Sequence, residues 1–112
     1  MSVEQDGVID IISMDRLTGE VTLTISDHLD WCDTSGHLLT LQRKLNRYLA
    51  FIESGEIFEQ YPTAKDRSIA IAIVFQFAPD ELGLAFLTQA KQIVEGAGFG
   101  FSTEIFRGAA FN

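Results

Sequence analysis

Basic side chains, cysteine, proline and long apolar runs are all scarce in this chain. Eight Lys and Arg stand against sixteen Asp and Glu, a formal charge of −8 over 112 residues. Such a field repels phosphate backbones and anionic lipid unless positive charge is locally concentrated, so neither nucleic acid nor a membrane is an expected partner. Cys32 is the only cysteine, which rules out an intramolecular disulfide and fits a reducing compartment. The longest uninterrupted apolar run, Ile69 to Phe75, falls well short of the ~20 residues of a membrane span. The N-terminus Met1-Ser2-Val3-Glu4-Gln5-Asp6 is acidic where a secretory signal would be basic, and the expected location is the cytoplasm.

Motifs of established chemistry are lacking too. There is no HExxH, no CxxC, no P-loop lysine motif and no G-x-S-x-G elbow, which removes the common zinc-protease, nucleotide-binding and hydrolase readings. Gly96-Ala97-Gly98-Phe99-Gly100 has the composition of a phosphate loop but the wrong order. Phosphate loops follow a strand and open a helix, whereas this one follows a helix and opens a strand.

What the chain does have is apolar material. Hydrophobic residues make up 46%, including nine Phe, and charged residues 21%, a composition that folds without a metal or disulfide. One α+β domain over residues 1–112 is expected, burying roughly two-thirds of its unfolded surface. Its organising stretch is Ile69 to Phe77, where Ile69, Ile71, Ile73, Phe75 and Phe77 fall on one face by the two-residue period and Ala70, Ala72, Val74 and Gln76 on the other. That pattern predicts a central strand with one bulky face and one smooth face.

Around it, Val8–Ser13 and Glu20–Ser26 read as a hairpin turned by Asp15 and Gly19. Asp33 or Thr34 caps a helix running to about Ser54, with Gly55 as its stop and Leu38, Leu41, Leu45, Tyr48, Leu49 and Ile52 on its apolar arc. Arg43, Lys44 and Arg47 fall on the opposite, solvated side, where they can receive an acidic partner or simply face water. Glu56–Tyr61 reads as a short strand pairing with the central one in a second hairpin. Pro79 opens a second helix with Asp80 and Glu81 in its first turn. Its core stripe reads as Leu82, Ala85, Phe86, Ala90, Ile93 and Ala97, with Leu84, Leu87 and Val94 widening the arc. Phe99–Phe106 is a last strand. The order ββαββαβ predicts a two-layer α+β sandwich, a mainly antiparallel sheet of four or five strands with two helices on one face. A ferredoxin-like arrangement is the alternative.

Two surfaces stand out. Asp27, His28, Asp30, Cys32, Asp33 and His37 place carboxylates, imidazoles and a thiol within eleven residues. His28, Asp30, Asp33 and His37 are candidate ligands for a divalent ion, and Cys32 beside a histidine is a candidate nucleophile. The spacing matches no metal signature, and a helix cap and a solvated turn account for the same residues. The second surface is the back of the sheet, where Thr22, Thr24, Ala70, Ala72 and Val74 carry no charge. A two-layer fold leaves this face open, and an apolar open face is one that monomers usually avoid. Leu84, Leu87 and Val94 form a candidate flanking patch.

The stretches Ser26-Asp27-His28-Leu29-Asp30-Trp31, His37-Leu38-Leu39, Lys44-Leu45-Asn46 and Tyr48-Leu49-Ala50-Phe51-Ile52-Glu53-Ser54-Gly55, with Tyr61-Pro62, Pro79-Asp80-Glu81 and Glu95-Gly96-Ala97-Gly98-Phe99, resemble a small bacterial family known only as a domain of unknown function. The resemblance implies a bacterial, cytoplasmic protein and supplies no catalytic residue, substrate or cofactor. The expectation is thus a non-catalytic protein-interaction module, homodimeric through the helix-free sheet face. Its acidity suits a basic partner. A metal-dependent or thiol enzyme built on the Asp27–His37 cluster is the competing expectation.

Overall fold

The computed structural model describes residues 11–105. Strand β1 (Ile11–Met14) turns into β2 (Val21–Asp27), then helix α1 (Thr34–Glu53), a short α2 (Glu56–Gln60), a 3-10 turn (Pro62–Ala64), β3 (Ile69–Phe75), helix α3 (Glu81–Gly96) and β4 (Gly100–Ile105). The expected strand segments at Val8–Asp10 and at Phe106 lie outside the described residues.

The β1–β2 reversal follows the turn chemistry. Asp15 Oδ1 accepts the backbone N–H groups of Leu17 and Thr18 at 2.7 and 3.1 Å, and Gly19 takes φ +75°, a left-handed conformation that costs glycine least. After this hairpin the sheet departs from expectation. Its order is β1-β2-β3-β4, with β1 antiparallel to β2 but β2, β3 and β4 mutually parallel. The mainly antiparallel sheet and the ferredoxin-like alternative are both corrected to a mixed four-stranded sheet. The cause lies in Glu56–Tyr61. Gly55 at φ +83° redirects the chain, Glu56 and Glu59 favour the N-terminal end of a helical turn, and Ile57 is the one residue of α2 that is buried. With no strand there, β2 reaches β3 through α1 and β3 reaches β4 through α3, and such crossovers make parallel pairs.

Both crossovers step in the same direction across the sheet, so right-handed connections place α1 and α3 on one face, where they touch each other. That face holds the core: Val21, Leu23 and Ile25 of β2, Ile69, Ile71, Ile73 and Phe75 of β3, and Leu41, Leu45, Tyr48, Phe51 and Ile52 of α1. The Tyr48 hydroxyl donates to the Thr24 carbonyl at 2.9 Å, fixing the height of α1 over β2.

The helices start and stop on the expected chemistry. The Asp33 side chain accepts from Gly36 N, and Asp80 caps α3 by accepting from Gly83 N; Pro79 therefore precedes the cap and is not the first helical residue. Two rotational details differ from the periodic reading. α3 buries Gly83, Leu87, Ala90 and Val94, while Leu82, Leu84 and Ile93 remain exposed. Leu87 and Val94 are thus core residues and leave the candidate flanking patch to Leu84. Lys44, expected in the solvated stripe, is fully buried. It lies three residues after Leu41 and four before Tyr48, so helical spacing puts it on the core flank, with Nζ 5.6 Å from the Tyr48 ring centroid. Arg43 stays exposed and Arg47 pairs with Glu56 at 3.3 Å.

Candidate functional sites: a loop cluster and an open sheet face

Strands β2 and β3 end side by side, with Asp27 opposite Phe75, and the N-termini of α1 and α3 come back to that same end. The loop 28–33 is organised by Asp27. Its Oδ1 accepts Leu29 N at 3.1 Å and its Oδ2 lies 2.5 Å from His37 Nε2. His37 Nδ1 donates to the Asp30 carbonyl at 2.9 Å, because a carbonyl oxygen only accepts. Asp27 and His37 are 1% and 3% exposed, and a buried polar pair of this kind persists only when each member satisfies the other.

Trp31 covers the pair. Its ring stacks on His37 at a centroid distance of 3.8 Å and an interplanar angle of 24°, its Nε1 donates to the Phe77 carbonyl at 3.2 Å, and it packs closely over Gly83. The Thr34 hydroxyl donates to the Asp80 carboxylate, tying the start of α1 to the cap of α3. That hydroxyl, followed by the Gly83 backbone N–H, holds the Asp80 carboxyl below its usual range. The Trp31–Phe77 and Thr34–Asp80 bonds each join segments 46 residues apart in the chain, and together they fix two helix N-termini to two strand ends.

An open cleft of about 480 Å³ lies beside this cluster, lined by His28, Asp30, Asp33, His37, Thr40 and Phe77 among others. The four candidate metal ligands therefore share one cleft, but donor atoms of three of them are engaged elsewhere. Both His37 nitrogens are bonded, Asp33 Oδ1 caps α1, and Asp30 Oδ1 accepts Cys32 N at 3.0 Å. Among the described residues, no three His, Cys, Asp or Glu side chains are grouped so as to hold a metal ion. The Cys32 thiol is exposed, and its hydrogen bond to the Asp30 side chain, together with that carboxylate's charge, pushes its pKa up. A thiol activated as a nucleophile needs the opposite shift. Thr34, Phe77, Asp80 and Gly83 join the cluster although the sequence pattern does not place them in it; they arrive through the start of α1, the segment after β3 and the start of α3.

The other face of the sheet carries no helix among the described residues. Register places Thr22, Ala70 and Gly100 in one row, Thr24, Ala72 and Ser102 in the next, and Ser26, Val74 and Glu104 in a third. The rows are small and, apart from Glu104 at one corner, uncharged. They are also flat: a Cβ on Gly100 would stand 3.0 Å from that of Ala70. The expected interface residues Thr22, Thr24, Ala72 and Val74 therefore lie partly exposed on one face, while Ala70, on the same face, is 8% exposed and buried within the chain.

The described residues form a small two-layer α+β fold with a four-stranded mixed sheet, three helices and a helix-anchoring Asp–His–Trp cluster. The chain belongs to a family of unknown function, DUF6572, whose model matches residues 1–107. No curated protein and no solved structure matches it. No helix among the described residues is long and apolar enough to cross a membrane.

Proposed function

We propose that this protein is a non-catalytic protein-interaction module that homodimerises through its helix-free sheet face. One observation carries the reading: β2, β3 and β4 are parallel, and parallel sheets are almost always covered on both faces, yet α1 and α3 cover only one. Central-strand residues such as Ala72 and Val74 are apolar and still partly exposed, which suits a surface that a second copy would close. Strands spaced ~4.8 Å apart and rising ~3.3 Å per residue give the face a projected area of about 300–400 Å². That is below the ≈ 800 Å² per partner of a standard interface, so the association is concentration-dependent. The acidic balance makes a basic protein the second class of partner, by charge complementarity. A bacterial, cytoplasmic setting belongs to the same reading.

The competing reading, a metal-dependent or thiol enzyme, draws less support, since His37 has no free nitrogen and Cys32 is held as a thiol. The discriminating experiment compares the parent chain with Val74→Lys by NMR with a soluble paramagnetic probe. The dimer predicts that amides of Thr24, Ala72 and Val74 are protected at high concentration and become accessible in Val74→Lys, whose core residues keep their parent shifts. Equal accessibility of these amides in both proteins at all concentrations contradicts it.

A further inference from the structure

The sheet ends on β4, and the edge it presents is unguarded. Among the described residues no strand pairs with its outer side. All six of its residues run in unbroken register with β3, and Gly100-Phe101-Ser102-Thr103-Glu104-Ile105 contains no proline, no lysine and no bulge, the devices by which proteins blunt an exposed edge. Its one charge, Glu104, lies in the helix-free row with Val74. The outward N–H and C=O groups of such a strand are complemented by the backbone of another extended segment. The helix side of the same edge is open too. α3 turns Phe86, Ala90 and Ile93 toward α1, while Leu84, Thr88 and Lys91, spaced four and three residues apart on its other flank, line a groove of about 270 Å³ with Phe101, Ser102 and Thr103. Leu84 is 56% exposed, and Thr103, in the helix-side row with Ile73, is exposed as well.

Charge and position decide which segment fits. Lys91 is exposed, and among the described residues no carboxylate lies within ion-pair distance of it. α3 runs from the end of β3 back to the start of β4, so Leu84 stands toward the Thr103 end of the groove and Lys91 toward the Phe101 end. A second copy does not complement this. Antiparallel pairing of two β4 strands about an axis through their middle sets Lys91 against its own counterpart, and the other edge strand, Ile11–Met14, carries no carboxylate.

We infer that the outer edge of β4 receives an extended segment of a different protein as a fifth strand, antiparallel to β4, the pairing that is more stable per residue. The segment's side chains alternate between faces. An apolar residue opposite Thr103 enters beside Leu84 and Leu87, and an Asp or Glu two positions later, opposite Phe101, meets Lys91. A Lys or Arg just before the apolar residue falls opposite Glu104 on the helix-free face, so the segment as a whole is not acidic and the chain's net charge does not repel it.

The test uses the full chain and two end-blocked synthetic peptides of about eight residues, enough to span β4 at ~3.3 Å per residue. Thr flanks a core of Lys-Leu-Thr-Glu in one and Lys-Leu-Thr-Lys in the other. Amide-shift titration is expected to show saturable binding of the Glu peptide, with changes centred on Leu84, Lys91, Phe101 and Thr103 and with slower hydrogen exchange along β4. Affinity is expected to fall about fivefold or more when the Lys peptide replaces it, and Lys91→Glu is expected to reverse the preference, binding the Lys peptide the better of the two. Because Lys91 is exposed, the variant keeps the core, which unchanged shifts of Ile71 and Ile73 verify. Absence of saturation, equal affinity for both peptides, an unaltered preference in Lys91→Glu, or changes centred on Thr22, Ala72 and Val74 would overturn the inference. The last result would instead place the peptide on the sheet face. The dimer proposed for that face predicts none of these effects, so the two readings fail separately.

Discussion

His37 Nε2 and Asp27 Oδ2 lie 2.5 Å apart across ten residues of chain, both side chains almost fully buried and roofed by Trp31. Removing either partner leaves the other buried and unpaired, which costs about 3–5 kcal/mol. His37→Ala and Asp27→Ala are each expected to lower unfolding free energy by that order, and the double variant by clearly less than the sum. Urea unfolding of the four proteins measures the coupling; strict additivity would mean that the pair contributes nothing as a pair.

Gly83 shows the same cluster from the α3 side. An added Cβ would stand 2.9 Å from Trp31 Cη2 and 3.0 Å from Pro79 Cβ. In an open helix Gly→Ala gains about 1 kcal/mol, but overpacking costs about 1–3 kcal/mol, and Trp31 is pinned by its stack and its Nε1 bond. Gly83→Ala is therefore expected to destabilise by about 1 kcal/mol net and to alter the Trp31 fluorescence. A more stable variant with unchanged emission would show that the Trp31 ring moves freely.

Asp80 gives the fold an acid limit. Its carboxyl is held low by the Thr34 hydroxyl and the Gly83 N–H, so the ionised form is favoured in the folded state. A depressed carboxyl contributes stability that is present above the unfolded value of about 3.9 and is lost as pH falls through the lower folded value. Asp15, held low by the N–H groups of Thr18 and Leu17, adds in the same direction. Melting temperature against pH is expected to drop more steeply below about pH 4 in the parent than in Asp80→Asn. Parallel curves would remove Asp80 as a source of the acid dependence.

Cys32 is expected to alkylate more slowly than a free thiol at neutral pH, because Asp30 suppresses its thiolate. Asp30→Asn removes the charge and keeps an oxygen for the Cys32 N–H, so iodoacetamide reaction should accelerate. An unchanged rate would show that the carboxylate does not control the thiol.

Much of this fold was legible because the signals are local. The Asp33 cap, the Gly55 stop, the Asp15–Gly19 reversal and the bulky face of Ile69–Phe75 each follow from a few neighbouring residues. The parallel pairing was partly legible as well: an apolar run as continuous as Ile69–Phe75 is typical of a strand in a parallel sheet, but the alternation in Glu56–Tyr61 resembled a strand and supplied a false hairpin partner. α3 has apolar residues over so wide an arc that its rotation depends on what it packs against, which left Leu87 and Val94 misplaced. Lys44 was hidden by its charge, since a buried stem is invisible to a reading by residue type. The Asp27–His37 bond and the seat of Trp31 needed the loop, both helix starts and the end of β3 to be assembled first.

In the proposed dimer, the sheet face that carries no helix among the described residues joins two copies of the chain. Light scattering coupled to size-exclusion chromatography over a rising concentration series tests it most directly, with Val74→Lys as the comparison. The account predicts a molar mass that climbs from the chain's 12.4 kDa toward twice that value in the parent and stays at the single-chain mass in the variant. A parent protein that holds the single-chain mass at the highest concentration, or a variant that associates as the parent does, would contradict it.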